Sequence, residues 1–130
     1  MFRWALLIGG LVIIADLGTQ ALAQRTTSPD DLVTIYNADE LVNYLLFSLL
    51  GIVVVRDTAV FYLGAVAGVL ASLLDAIVVA AAASMAPPAG GAAPLEEYFA
   101  RNLVIGIVFA GLSGVTYFVV QRWSGARRSK

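Results

Sequence analysis

The stretch from Thr58 to Met85, TAVFYLGAVAGVLASLLDAIVVAAAASM, carries a single charged residue, Asp75, in an otherwise apolar and small-residue run. About 20 such residues suffice for an α-helix to cross roughly 30 Å of hydrocarbon, so this run is long enough with residues to spare. It gives way to Pro87-Pro88-Ala89-Gly90-Gly91-Ala92-Ala93-Pro94. Proline removes backbone donors and glycine weakens a helix, so residues 86–94 read as a loop.

Upstream, Leu41 to Val55 forms a second apolar block, closed by Arg56-Asp57-Thr58. Two charges inside one continuous helix at bilayer depth would cost several kcal/mol, so the triplet reads as a tight turn between antiparallel helices. Downstream, Pro94-Leu95-Glu96-Glu97 opens another helix, with proline at an early position and carboxylates against the positive end of the helix dipole. The expectation is an all-α integral membrane bundle. Its crossings fall at about 38–55, 59–84 and 98–121, within a transmembrane region spanning 41–121.

Residues 1–23 admit two readings. Arg3 is a short basic start, Ala5 to Ala15 an apolar core, and Ala21-Leu22-Ala23 before Gln24 has the small-x-small form of a signal peptidase site. The same block is long enough to remain as a first transmembrane helix, which makes four helices rather than three. Both stay open on the sequence. Residues 24–40 form an extracytoplasmic polar segment with two helix-start patterns, Ser28-Pro29-Asp30-Asp31 and Asn37-Ala38-Asp39-Glu40. Between them, Leu32, Val33, Ile35 and Tyr36 suit a short amphipathic helix on the membrane surface, or one turn in a solvated linker.

Composition excludes much. A chain of 130 residues that is 60% hydrophobic and 13% charged lies well outside soluble domains, which are nearer half apolar and a quarter charged. With neither cysteine nor histidine, disulfides, thiolate zinc sites, catalytic cysteines and histidine-ligated haem are ruled out. No nucleophile–base or metal-ligand spacing stands out, so neither enzyme chemistry nor a cofactor is expected. A net charge of −1 argues against nucleic acid, whose binding needs a basic surface.

With four helices and both termini on one side, that side carries Arg3, Arg56, Arg122, Arg127, Arg128 and Lys130, against Arg25 and Arg101 on the other. The positive-inside rule then puts the termini in the cytoplasm, residues 122–130 forming a basic tail, and the expected location is a bacterial inner (plasma) membrane. Trp4 and Trp123, beside Arg3 and Arg122, anchor the helices at that interface, and Arg127 and Arg128 meet anionic head groups.

Lipid gives helices little hydrophobic reason to associate, so close approach at small residues matters more. Gly64, Gly68, Ser72, Ala76, Ala80 and Ser84 form one ridge at spacing four, and Gly106, Ala110 and Gly114 another. The two are expected to face each other. Asp75 shares the first ridge's face and lies about 25 Å from Thr58 if the helix starts there. Asp16, if its block is retained, lies about 18 Å from Trp4, within a turn or so of Asp75 in depth. Asn43 and Ser48, with Ser113 and Thr116, are candidates for interhelical hydrogen bonds. The candidate polar site is therefore Asp75, Asp16, Ser72 and Asn43. The expected role is an accessory or assembly subunit packing against other membrane subunits, and the alternative is a small self-associating transporter, channel or holin-like pore former using Asp75.

Overall fold

A computed structural model describes residues 1–85 and 95–128. Within them the chain is all-helical: α1 (Phe2–Ala23), α2 (Pro29–Thr58), α3 (Leu63–Met85) and α4 (Leu95–Arg128). All four contain a segment long and apolar enough to cross a membrane, in α4 the part Phe99–Gly125. The loop expected at 86–94 lies outside the described residues.

Of the two expected helix starts between residues 24 and 40, only the first is used. Ser28 is extended (φ −82°, ψ 125°), its hydroxyl accepts the Asp31 N–H at 3.5 Å, and Pro29 takes the first helical position. Asn37-Ala38-Asp39-Glu40 is then mid-helix. Once a helix is nucleated each added residue gains a backbone hydrogen bond, and no proline or glycine between Asp31 and Glu40 stops it. Residues 29–40 are thus the opening turns of α2, neither a separate surface helix nor a linker.

The turn at Arg56-Asp57-Thr58 also shifts. α2 runs through both charges to Thr58, and the reversal is made by Ala59, left-handed at φ 57° and ψ 20°, whose N–H bonds the Val55 carbonyl at 2.8 Å. An alanine there costs about 1–2 kcal/mol. α3 consequently begins at Leu63, and Asp75 lies only about 18 Å along it, nearer mid-membrane than a start at Thr58 implies. At the other extreme α4 continues past residue 121 to Arg128, so the basic tail is largely a helical extension.

The start of α1, the end of α4 and the α2–α3 turn lie at one end of the bundle, here the terminal end; the α1–α2 connection lies at the distal end. α1 belongs to the bundle. Ala5, Ile8, Gly9, Val12 and Asp16 are buried along one of its faces. A Cβ on Gly9 would come within 3.3 Å of both Cα and Cβ of Ala71 in α3. At the terminal end, the Asp57 carboxylate accepts from the Arg3 guanidinium at 2.6 Å and the Trp4 indole N–H at 2.5 Å. These contacts clip the start of α1 to the end of α2. Asp57→Ala should therefore shift Trp4 fluorescence in a Trp123→Phe background, Trp123 being largely exposed. Unchanged emission would mean that Trp4 is not held there.

The ridges meet at Gly68–Gly106 and Gly64–Ala110, with one departure and one addition. Gly68 and Gly106 approach so closely that a Cβ on Gly68 would overlap the Gly106 carbonyl, and one on Gly64 would stand 2.8 Å from the Ala110 oxygen. Gly114 instead packs towards α2, where a Cβ would lie 2.8 Å from Val55. Gly51 of α2 completes this seam against the Ala110 carbonyl. α4 thus presents Gly106, Ala110 and Gly114 into the cleft between α3 and α2. Phe47, Leu50, Val54, Ile8 and Val12 fill the interior beside it.

Candidate functional site

Four buried side chains at membrane depth form two pairs, one on each side of the bundle. Asn43 of α2 donates its Nδ2 to Oδ1 of Asp16 in α1 at 2.8 Å, and Asn102 of α4 donates its Nδ2 to Oδ2 of Asp75 in α3 at 2.7 Å. Asp75 is fully buried and Asp16, Asn43 and Asn102 nearly so. Ser72, one turn before Asp75, donates to the Asn102 backbone carbonyl at 2.9 Å, tying α3 to α4. Each such bond contributes about 0.6 kcal/mol in a membrane, where the separated helices also find partners.

The helix registers bring the two pairs to similar depth. Gly106 lies against Ser72 and Phe47, which fixes a common level for α2, α3 and α4. Asn43 precedes Phe47 by one turn, Asn102 precedes Gly106 by one turn, and Asp75 follows Ser72 by about 4.5 Å in a helix running the opposite way. All three lie on the distal side of that level. Gly9 and Ala71 set α1 against α3, which leaves Asp16 about one turn distal to Asp75. Every helix contributes one member to this polar layer.

Polar groups continue distally from the layer. The Thr19 hydroxyl donates to Asp39 at 2.8 Å; the Asp16 and Asp39 side chains interact, and Arg101 is close enough for its charge to act on Asp39. One turn away Tyr44 donates its hydroxyl to Glu40 and stacks on Phe109 at a centroid distance of 4.3 Å. Towards the terminal end, Phe47, Leu50 and Val54 are all essentially inaccessible. Polarity therefore reaches the layer from the distal side, while apolar packing lies beneath it.

Of the residues singled out in the sequence, Asp16 and Asn43 are bonded directly, and Asp75 and Ser72 join through Asn102. Arg3 and Trp4 sit at the terminal junction, and the Arg122 guanidinium lies 5.0 Å from the Phe118 ring centre. Trp123 is exposed near the same end. The side chains of Arg127 and Arg128 lie outside what is described. Ser113 bonds the Phe109 carbonyl of its own helix at 2.6 Å, in place of the interhelical bond expected of it. Asn102, Asp39, Thr19, Gly51 and Gly9 were not anticipated. Asn102 was legible, since it heads the spacing-four series Asn102, Gly106, Ala110, Gly114, and Gly51 likewise continues Asn43 and Phe47.

The donors are carboxylates, carboxamides and hydroxyls. Such groups hold a proton or a hard cation and offer nothing to a soft metal. Among the described residues no group of three or more His, Cys, Asp or Glu is placed to hold a metal ion. Compared with known protein families, curated proteins and solved structures, the chain matches none.

Proposed function

We propose that this chain is a small self-associating transporter or channel that handles protons or monovalent cations, with Asp16 and Asp75 as its loading groups. The observation that carries the reading is the polar layer itself: two carboxylates, buried at membrane depth, each held by an asparagine on a neighbouring helix. An intramembrane carboxylate is costly and marks an ion or proton path more often than a packing contact. An asparagine partner suits it, because the carboxamide can donate to a charged carboxylate or, after rotating, accept from a protonated one. Distal polar groups give the layer an approach from one side. The apolar packing beneath it is the part that would have to open. The positive-inside rule orients the terminal end to the cytoplasm of a bacterial inner membrane, with the distal approach outside.

The chain reconstituted in liposomes should dissipate an imposed proton or sodium gradient, and Asp75→Asn should remove that flux while leaving a folded bundle. Flux equal to wild type in Asp75→Asn would take Asp75 out of the mechanism.

A second reading, an accessory or assembly subunit of a larger membrane complex, is favoured by Gly10 and Gly18. A Cβ on either would meet nothing within 4 Å, so the backbone of α1 is open there to a neighbouring helix. Native purification in mild detergent with mass spectrometry separates the two. A homo-oligomer supports transport, whereas a fixed-stoichiometry complex with other subunits and no flux from the isolated chain supports assembly.

A further inference from the structure

Asp16 and Asp39 stand side by side in the seam between α1 and α2, and their side chains interact directly. Ionised carboxylates only accept hydrogen bonds, so contact between two of them calls for one positive charge between them. Asn43 adds an independent sign. Its Nδ2 is used on Asp16, which sets the carboxamide at this seam, and its Oδ1 has no hydrogen-bond partner although the residue is only 5% exposed. A buried acceptor left this way is destabilising, and a positively charged guest removes that cost.

The composition of the seam says what fits. Its donors are two carboxylates, the Asn43 carbonyl and the Thr19 hydroxyl, all hard oxygens of the kind that take the place of a cation's water. One shared positive charge is the least that lets the Asp16 and Asp39 carboxylates touch, which a monovalent guest supplies; Arg101 acts on Asp39 only as the weakest of its neighbours. Of the other acidic groups nearby, Glu40 of α2 accepts the Tyr44 hydroxyl and Asp75 of α3 accepts from Asn102; both donors are neutral, so neither brings a positive charge to the seam.

We propose that the α1–α2 seam binds one monovalent positive charge, a sodium ion or a proton, between Asp16 and Asp39, with the Asn43 carbonyl and the Thr19 hydroxyl completing the oxygen set. As the distal loading position for the layer beneath, this site rests on the transport reading for its purpose. As a binding site it stands on its own geometry. It explains why a half-buried aspartate and a threonine occupy positions where α1 and α2 meet.

The test is equilibrium binding of radiolabelled sodium to the purified full chain in detergent, alongside infrared spectroscopy of protonated carboxyl groups. Saturable binding of one sodium ion per chain is expected, with a proton released as it binds. Asp39→Asn should weaken the affinity about tenfold or more, equivalent to about 1.4 kcal/mol, and Thr19→Val by less. Arg56→Gln, at the other end of the bundle, should bind as wild type does. If sodium does not bind but Asp39→Asn removes a protonated-carboxyl band, the guest is the proton and the site stands. Absence of both signals overturns the site, as does sodium binding unchanged in both Asp39→Asn and Thr19→Val. No gradient enters this measurement, so binding without flux would sink the transport reading alone. Flux without either signal would sink the seam site alone.

Discussion

Gly106→Leu is expected to prevent the bundle from assembling, with little or no monodisperse protein recovered after solubilisation. A Cβ alone at this position would overlap the Ser72 hydroxyl and stand 2.9 Å from the Gly68 carbonyl and 3.2 Å from the Phe47 ring. Two of those neighbours belong to the facing helix and one is its backbone, which cannot rotate aside. Overpacking a tight core costs about 1–3 kcal/mol when side chains can adjust, and here α3 itself must move. That motion would also part Ser72 from the Asn102 carbonyl and Asn102 from Asp75. The comparison is Gly10→Leu, where nothing lies within 4 Å and the bundle should be at least as stable, because leucine lacks glycine's helix penalty of about 1 kcal/mol. Recovery of both variants in equal yield, with equal thermal stability, would refute the α3–α4 seam.

Deleting residues 1–23 should be comparably damaging. A chain beginning at Gln24 loses the partner of Asn43, a carboxylate that the carboxamide reaches at 2.8 Å, and it leaves both polar atoms of that side chain without a protein partner at membrane depth. It also uncovers Ala67 and Ala71, now completely buried, and removes both donors to Asp57. Lipid can cover the alanines, but it offers Asn43 nothing. The truncated chain is expected to accumulate at a small fraction of the full-length level and to lose the flux proposed for the layer. Full accumulation and flux would show α1 to be dispensable. The full-length chain should keep residues 1–23 in the membrane, since Ala23, at the small-x-small site, is completely buried in the last turn of α1. Intact mass spectrometry reads that directly.

How much of this was legible beforehand divides by physical cause. Helix class follows from apolar length, a local property of the sequence, but the number stays open between three and four because residues 1–23 fit a signal peptide as well as a crossing. The small-residue ridge facing α4 was also readable, because spacing four repeats along one helix face. Boundaries failed where two signals competed. Asn37-Ala38-Asp39-Glu40 has the composition of a helix start, yet the helix already running from Ser28 passes through it, and cooperativity favours continuation. On cost alone Arg56 and Asp57 read as a turn outside the helix, but at the bundle's end Asp57 is stabilised by Arg3 and Trp4, more than 50 residues away in sequence. The pairing of Asp16 with Asn43 and of Asp75 with Asn102 is set by helix register across the bundle. Sequence placed Asp16 and Asp75 at similar depth but could not say which side chain each would meet.

Whether α1 is a working part of the bundle is directly measurable, because the chain contains no cysteine. In Gly9→Cys/Ala71→Cys the new side chains would face one another at a position where a Cβ on Gly9 comes 3.3 Å from the Ala71 Cβ, close to the spacing a disulfide needs. After mild oxidation in native membranes and trypsin cleavage at Arg25, the N-terminal fragment should stay attached to the rest of the chain until reductant is added. Release of that fragment without reductant, from protein accumulating at wild-type levels, would contradict the account.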